Sequence, residues 1–200
     1  MKKNFFMKTF NLTSKLLILS CISLFFSLSI SFIWHHWGTI IKNFFPNNTE
    51  FYLLKIAEIF NNFLGAIIFL SLLLIIIEVV KRIIHDSLIN YFKSIIQTLR
   101  LRRFLRQSES IKYTDEGKKS VSLNPVIENF NRSAQKSIVN VSNKKIIVFL
   151  HIPNTGQAQK ILIDLESQIV REISSYNLDY YFSQPNRIKN QLWIVGTKRR

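Results

Sequence analysis

His151, Ser174, Ser175, Glu78 and Cys21 are the side chains whose types could do acid–base, nucleophilic or metal chemistry. Their surroundings argue against it. His151 stands inside the apolar run 146–152 with no Cys or His at ligand spacing, so it is expected as a core or edge histidine of a strand. Ser174 and Ser175 have no His and Asp nearby to activate a hydroxyl. One cysteine excludes an internal disulfide framework and a thiolate cluster. The glycines stand at 38, 65, 117, 156 and 196, which excludes a Gly-x4-Gly-Lys phosphate loop. Asn154-Thr155-Gly156-Gln157 precedes a helical pattern and reads as a cap rather than an anion site. The chain therefore reads as a non-enzyme with no catalytic residue, cofactor or metal.

A second chemistry is cationic. Lys81, Arg82, Arg100, Arg102, Arg103 and Arg106 are candidate contacts for anionic lipid headgroups, since a juxtamembrane cation gains about 1 kcal/mol near such a surface. The same residues suit a nucleic-acid backbone, although Arg100-Leu101-Arg102-Arg103 is short for such a site. Tyr180, Tyr181, Phe182 and Trp193 are aromatics that could stack on bases, yet aromatics also fit strands for packing reasons. Glu78 has Lys81 and Arg82 three and four residues on, and an ion pair on one helical face accounts for it.

The elements that hold these residues begin with two apolar runs, 16–34 and 63–80, each long enough to cross a bilayer as a helix. The net charge is +15 and the mean hydropathy +0.14, a combination that fits an anchor carrying a basic polar part. Lys2, Lys3, Lys8 and Lys15 precede the first run, and Lys81, Arg82, Lys93, Arg100, Arg102, Arg103 and Arg106 follow the second. Between the runs, Lys42 and Lys55 are balanced by Glu50 and Glu58. The positive-inside rule then places both termini in the cytoplasm. Trp34 and Trp37, flanking His35 and His36, suit an interfacial belt. The apolar run continues past the weak Ser29-Ile30-Ser31 cleavage signal, so an uncleaved anchor is expected. Abundant Lys, Asn, Ile and Phe fit an AT-rich bacterial genome, and hence the cytoplasmic membrane of a bacterium.

The expected organisation is a basic N-terminus (1–15), a first transmembrane helix (16–37), an extracytoplasmic loop (38–62) and a second transmembrane helix (63–80). A basic juxtamembrane helix (81–106) follows, with Ile84, Leu88, Phe92, Ile95 and Leu99 at helical spacing. A polar linker (107–134) punctuated by Gly117 and Pro125 comes next, with a short helical turn over Val126, Ile127 and Phe130. The last part, 135–200, reads as a small α+β module of order ββαββ that docks a partner. Its strands are 136–141, 146–152, 179–183 and 191–197, with a turn at Gln184-Pro185-Asn186. Its one covering helix carries Ile161, Leu165, Ile169 and Ile173 as a stripe.

This layout resembles the membrane-anchoring N-terminal region of FtsK-type coupling proteins from conjugative elements. The most characteristic stretch runs from Asp179-Tyr180-Tyr181-Phe182-Ser183 to Leu192-Trp193-Ile194-Val195-Gly196-Thr197-Lys198. The resemblance implies a scaffold that assembles a ring-forming motor ATPase for DNA transfer, and hence self-association. That family's ATPase follows the module, whereas this chain stops at Arg200, so no ATP-binding residue carries over. Either a separate anchor subunit or a truncated form fits. The leading expectation is a membrane anchor or scaffold whose cytoplasmic partner is a motor ATPase. It would dock on the charged face of the 157–175 helix or on an edge strand ending in Lys198-Arg199-Arg200. A membrane-tethered regulatory or nucleic-acid-binding module is the second expectation, and a hairpin pore or immunity protein the third.

Overall fold

The computed structural model describes residues 1–44, 48–108, 112–113, 119–120 and 124–199. Two compact units emerge, one of Asn4–Val80 and the other of Lys81–Arg200 with Met1–Lys3.

The first unit is built from two helices, α1 (Phe5–Phe44) and α2 (Asn48–His85), the second of which runs on into the other unit. Within them, Phe5–Trp37 and Lys55–His85 are long and apolar enough to cross a membrane. At 1.5 Å per residue the 40 residues of α1 extend about 60 Å, roughly twice a hydrocarbon core. The stretch expected as a loop, 38–62, is helical on both sides of residues 45–47. From Asn48 to Asn62 there is no Pro or Gly to interrupt a helix. Gly117, Pro46 and Arg200 lie outside the described residues, as do the side chains of Trp34, Lys42 and Glu50.

Phe6, Met7, Phe10, Leu64 and Ile67 are buried, but along the apolar stretches many side chains sort opposite to those of a water-soluble helix pair. Phe25 and Phe69 are 70% and 69% exposed, whereas Ser23 and Ser71 are 5% and 1% exposed. Ser20 and Ser71 satisfy their hydroxyls by donating to Leu17 O and Ile68 O, each at 2.8 Å. Ser27 Oγ donates to Asn61 Oδ1 at 2.7 Å, joining α1 to α2. Small hydroxyl residues let two helix backbones approach, and interhelical hydrogen bonds then hold them. Glu78 is buried.

In the second unit, α3 (Leu88–Leu105) begins after Asp86 and the cap Ser87, whose Oγ accepts from Ile89 N. Strands β1 (Lys112–Tyr113) and β2 (Lys119–Ser120) form a small antiparallel pair. Next comes α4 (Pro125–Ala134), a full helix where a short turn was expected. Asn124 caps it by accepting from Val126 N at 3.0 Å, and Pro125 fits a first-turn position because its missing N–H has no helical partner there. Then follow β3 (Ile138–Val141), β4 (Lys145–His151), α5 (Gly156–Ser175), β5 (Tyr180–Phe182), β6 (Asn186–Ile188) and β7 (Gln191–Lys198).

The sheet is antiparallel throughout, in the order β3-β4-β7, with β5 and β6 end to end along the far side of β7. Pairs such as Val148↔Ile194 and Phe149↔Trp193 fix the central register. The order is thus not a plain ββαββ. A strand, β6, starts at Asn186 where a turn was expected, and Lys189-Asn190 turns the chain into β7 with Lys189 at φ 54°. Asn186-Arg187-Ile188 has no alternating apolar pattern, so nothing in its composition announces a strand. The β7 strand is central rather than an edge, which corrects the expected docking edge ending in Lys198-Arg199-Arg200.

Three helices, not one, cover the inner face. Leu101 and Leu105 of α3, Phe130 and Ala134 of α4, and Leu162, Ile169 and Ile173 of α5 meet Val139, Val148 and Ile194 in one core. Ile161 and Leu165 pack at its margin, half-buried. On the other face Phe149 and Trp193 pack edge to face at 5.2 Å, with Lys3 Nζ 3.7 Å from the centre of the Phe149 ring.

Candidate functional site: the polar ladder and the open face of α3

A strand at the end of a sheet leaves a row of N–H and C=O groups without strand partners. In this fold β3 is such a strand, yet it is almost wholly buried. Its outer edge is covered by polar side chains at every fourth position: Arg82 near the end of α2, Asp86 in the break after it, and Asn90, Ser94, Thr98 and Arg102 of α3. Val139 N donates to Thr98 Oγ1 at 3.0 Å, and Thr98 Oγ1 lies 3.2 Å from Val139 O. Val141 N donates to Ser94 Oγ at 2.9 Å. Arg82 donates to Val141 O at 2.7 Å and to Asn140 Oδ1. Arg102 Nε donates to Ser137 O at 2.9 Å.

The ladder also holds the β3–β4 turn. Asp86 Oδ1 accepts from Asn143 N at 3.0 Å and from Asn90 Nδ2 at 2.8 Å, and Asn90 Nδ2 reaches Asn143 Oδ1 at 2.7 Å. Asp86 Oδ2 pairs with Arg82 at 2.7 Å, with both side chains below 10% exposed. A buried ion pair of this kind is tolerated only where further hydrogen bonds satisfy both members, as they do here. Flanking contacts complete the seat of α3. Gln97 and Asn177 exchange amide hydrogen bonds at 2.8 and 3.2 Å. Asn131 of α4 bonds both the N–H and the C=O of Gln107.

These bonds redistribute the expected cationic contacts. Arg82 is turned into the fold and Arg102 is half-buried against β3, where burial pushes its pKa down from the ordinary value. Lys81, Arg100, Arg103 and Arg106 are exposed, and the guanidinium of Arg100 lies 5.0 Å from the ring centre of Tyr176. The six residues therefore do not form one patch. The line of polar residues at every fourth position from 82 to 102 was the signal that sequence reasoning missed.

Elsewhere the chemistry is sparse. Among the described residues no cluster of three His, Cys, Asp or Glu is placed to hold a metal ion. His151 ends β4 half-buried, and its Nδ1 has no hydrogen-bond partner. Burial lowers its pKa first, with Lys136 and Lys3 adding to the effect. Thr155 stands at the cap position of α5, as the sequence suggested, although its side chain makes no capping bond. An open groove of about 600 Å³ runs between α5 and β5, lined by Ile163, Glu166, Val170, Arg171, Phe182 and Pro185. Burial raises the pKa of Glu166, and Arg187 opposes that rise.

Compared with known proteins, the chain matches no family model, no curated protein and no solved structure.

Proposed function

We propose that this protein is a non-enzymatic anchor in the cytoplasmic membrane of a bacterium, carrying a small α+β module that docks a cytoplasmic partner. The observation that carries the reading is the outward placement of many large apolar side chains along α1 and α2, such as Phe25 and Phe69, with Ser23 and Ser71 inward. Such a pair gains little in water, where large apolar side chains are driven inside. In hydrocarbon the same arrangement is favourable, because helices there associate through small and hydroxyl residues. Both termini are cytoplasmic in this reading, from the distribution of Lys and Arg.

The module begins without a spacer. Arg82, already bonded to β3, comes two residues after the apolar run ends at Val80. The partner we propose is a motor ATPase of a DNA-transfer system, on the resemblance in layout to FtsK-type coupling proteins, with self-association following from the ring such motors form. The open α5–β5 groove and the charged face of α5 are the proposed contact. Purified full-length chain in detergent should bind an FtsK-type ATPase, bind duplex DNA weakly, and hydrolyse no ATP by itself. Tight DNA binding that collapses with added salt, without ATPase binding, would replace this reading with the nucleic-acid one.

A further inference from the structure

Leu101 and Leu105 near the end of α3 enter the core, but a second set of apolar residues on this helix does not face the protein. Leu88, Ile89, Phe92, Ile96 and Leu99 are 39%, 65%, 61%, 48% and 54% exposed, while Asn90, Ser94 and Thr98 are buried. At about 100° per residue, these five fall within one arc of the helix, directly opposite the ladder. The arrangement is forced by the edge of β3. Only polar side chains can satisfy its N–H and C=O groups, so the polar face of α3 turns inward and the apolar face is left outside.

Charge points to what covers this face. Lys93, Arg100 and Arg103 are exposed along and beside the stripe, and the described part of α3 carries no Asp or Glu. An apolar arc flanked by cations is the pattern of a helix lying in the plane of an anionic lipid surface. Arginine and lysine there lay their aliphatic stems on apolar surface and keep the charge among headgroups. Asp86 and Ser87 are all that separate α3 from α2, whose apolar stretch Lys55–His85 is long enough to span a bilayer. A bilayer surface is therefore the partner within closest covalent reach.

We infer that the outward face of α3 is a lipid-binding surface, embedded at the interface of the same anionic bilayer that α2 crosses. Leu88, Ile89, Phe92, Ile96 and Leu99 enter the boundary between headgroups and acyl chains, and Lys93, Arg100 and Arg103 engage lipid phosphates. This inference rests on the anchor reading of α1 and α2 and goes beyond it, since a spanning hairpin does not require the next helix to lie in the interface.

The test uses the full chain with Cys21→Ser and single cysteines introduced as Ile96→Cys, Leu99→Cys, Gln157→Cys or Phe69→Cys, each labelled with an environment-sensitive fluorophore. The protein is reconstituted in vesicles of phosphatidylcholine and phosphatidylglycerol that carry bromines at a shallow or a deep acyl position. The expected result is a blue shift and loss of emission at 96 and 99, stronger with shallow bromines. Position 69 should be quenched by deep bromines, and position 157 by neither. Leaving out phosphatidylglycerol should weaken quenching at 96 and 99, and unchanged quenching would overturn the anionic preference. Quenching at 69 with aqueous emission at 96 and 99 would overturn the inference while sparing the anchor reading. A label at 69 that no bromine quenches would overturn the anchor reading itself. A blue shift at 96 and 99 without lipid quenching, growing with protein-to-lipid ratio, would mean that a second copy covers the face, and would also overturn the inference.

Discussion

Thr98 shows how one hydroxyl can decide an interface. It is fully buried, accepts from Val139 N at 3.0 Å and donates to Ser94 O at 2.7 Å, with Val139 O 3.2 Å away. Thr98→Val keeps the shape but strands the buried N–H of Val139, so it should lower stability by about 1–3 kcal/mol, the range for an unsatisfied buried polar group. Thr98→Ser should recover most of that loss. Chemical denaturation of the full chain in detergent, followed by circular dichroism, reads both. His151 offers a pH test. Its pKa in the fold is lowered, chiefly by burial, so the unfolded chain binds more protons below the ordinary value of 6.5. Its contribution is complete above that value and declines as pH falls toward the lowered one. Melting temperatures of the wild type should therefore drop below pH 6.5 by more than those of His151→Gln, and identical slopes would remove the effect from His151.

At the scale of elements, sequence periodicity gives the faces of α3 but not which face looks inward. Leu88, Phe92 and Leu99 do share one side, as their spacing indicates, yet all are exposed, while Ile84 lies on α2 because the expected 81–106 helix is broken at Asp86-Ser87. Apolar spacing reports a surface that avoids water and is silent on whether protein or lipid covers it. The inward face became visible only with the position of β3, a long-range fact that no local window contains. By contrast, the 146–152 run is legible as a strand because it is β-branched, apolar and ended by Pro153; β4 lies at Lys145–His151. The aromatic–glycine contact between β5 and β7 was not legible either. A Cβ at Gly196 would lie 2.6 Å from the Phe182 ring, so the ring covers the glycine across the strands. Gly196→Val should cost about 1–3 kcal/mol through overpacking, and Gly196→Val with Phe182→Ala should regain part of it. Thermal melts of the two variants decide this.

For the whole molecule, the helix pair and the α+β module rest on opposite solutions to one problem. In α1 and α2 Ser20, Ser23 and Ser71 are inside and many bulky apolar residues such as Phe25, Phe32 and Phe69 are outside, whereas the core of the module gathers Phe130, Leu162, Ile169 and Ile194 out of water. Composition alone separates the two parts, because the long apolar runs and the charged remainder differ so sharply. The shape of the α5–β5 groove is not legible in the same way, since residues far apart in the chain, such as Ile163 and Phe182, line it. The claim on which the rest depends is that α2 crosses a bilayer. Spin labels placed one at a time at Phe69, Leu72 and Ile76, on full-length chain lacking Cys21 and reconstituted in bilayers, test it through their collision rates with oxygen and with a water-soluble nickel chelate. Membrane crossing predicts high oxygen and low nickel accessibility at all three sites, with the depth changing steadily along the helix. High nickel accessibility at these sites, or a depth that does not change from 69 to 76, would contradict it.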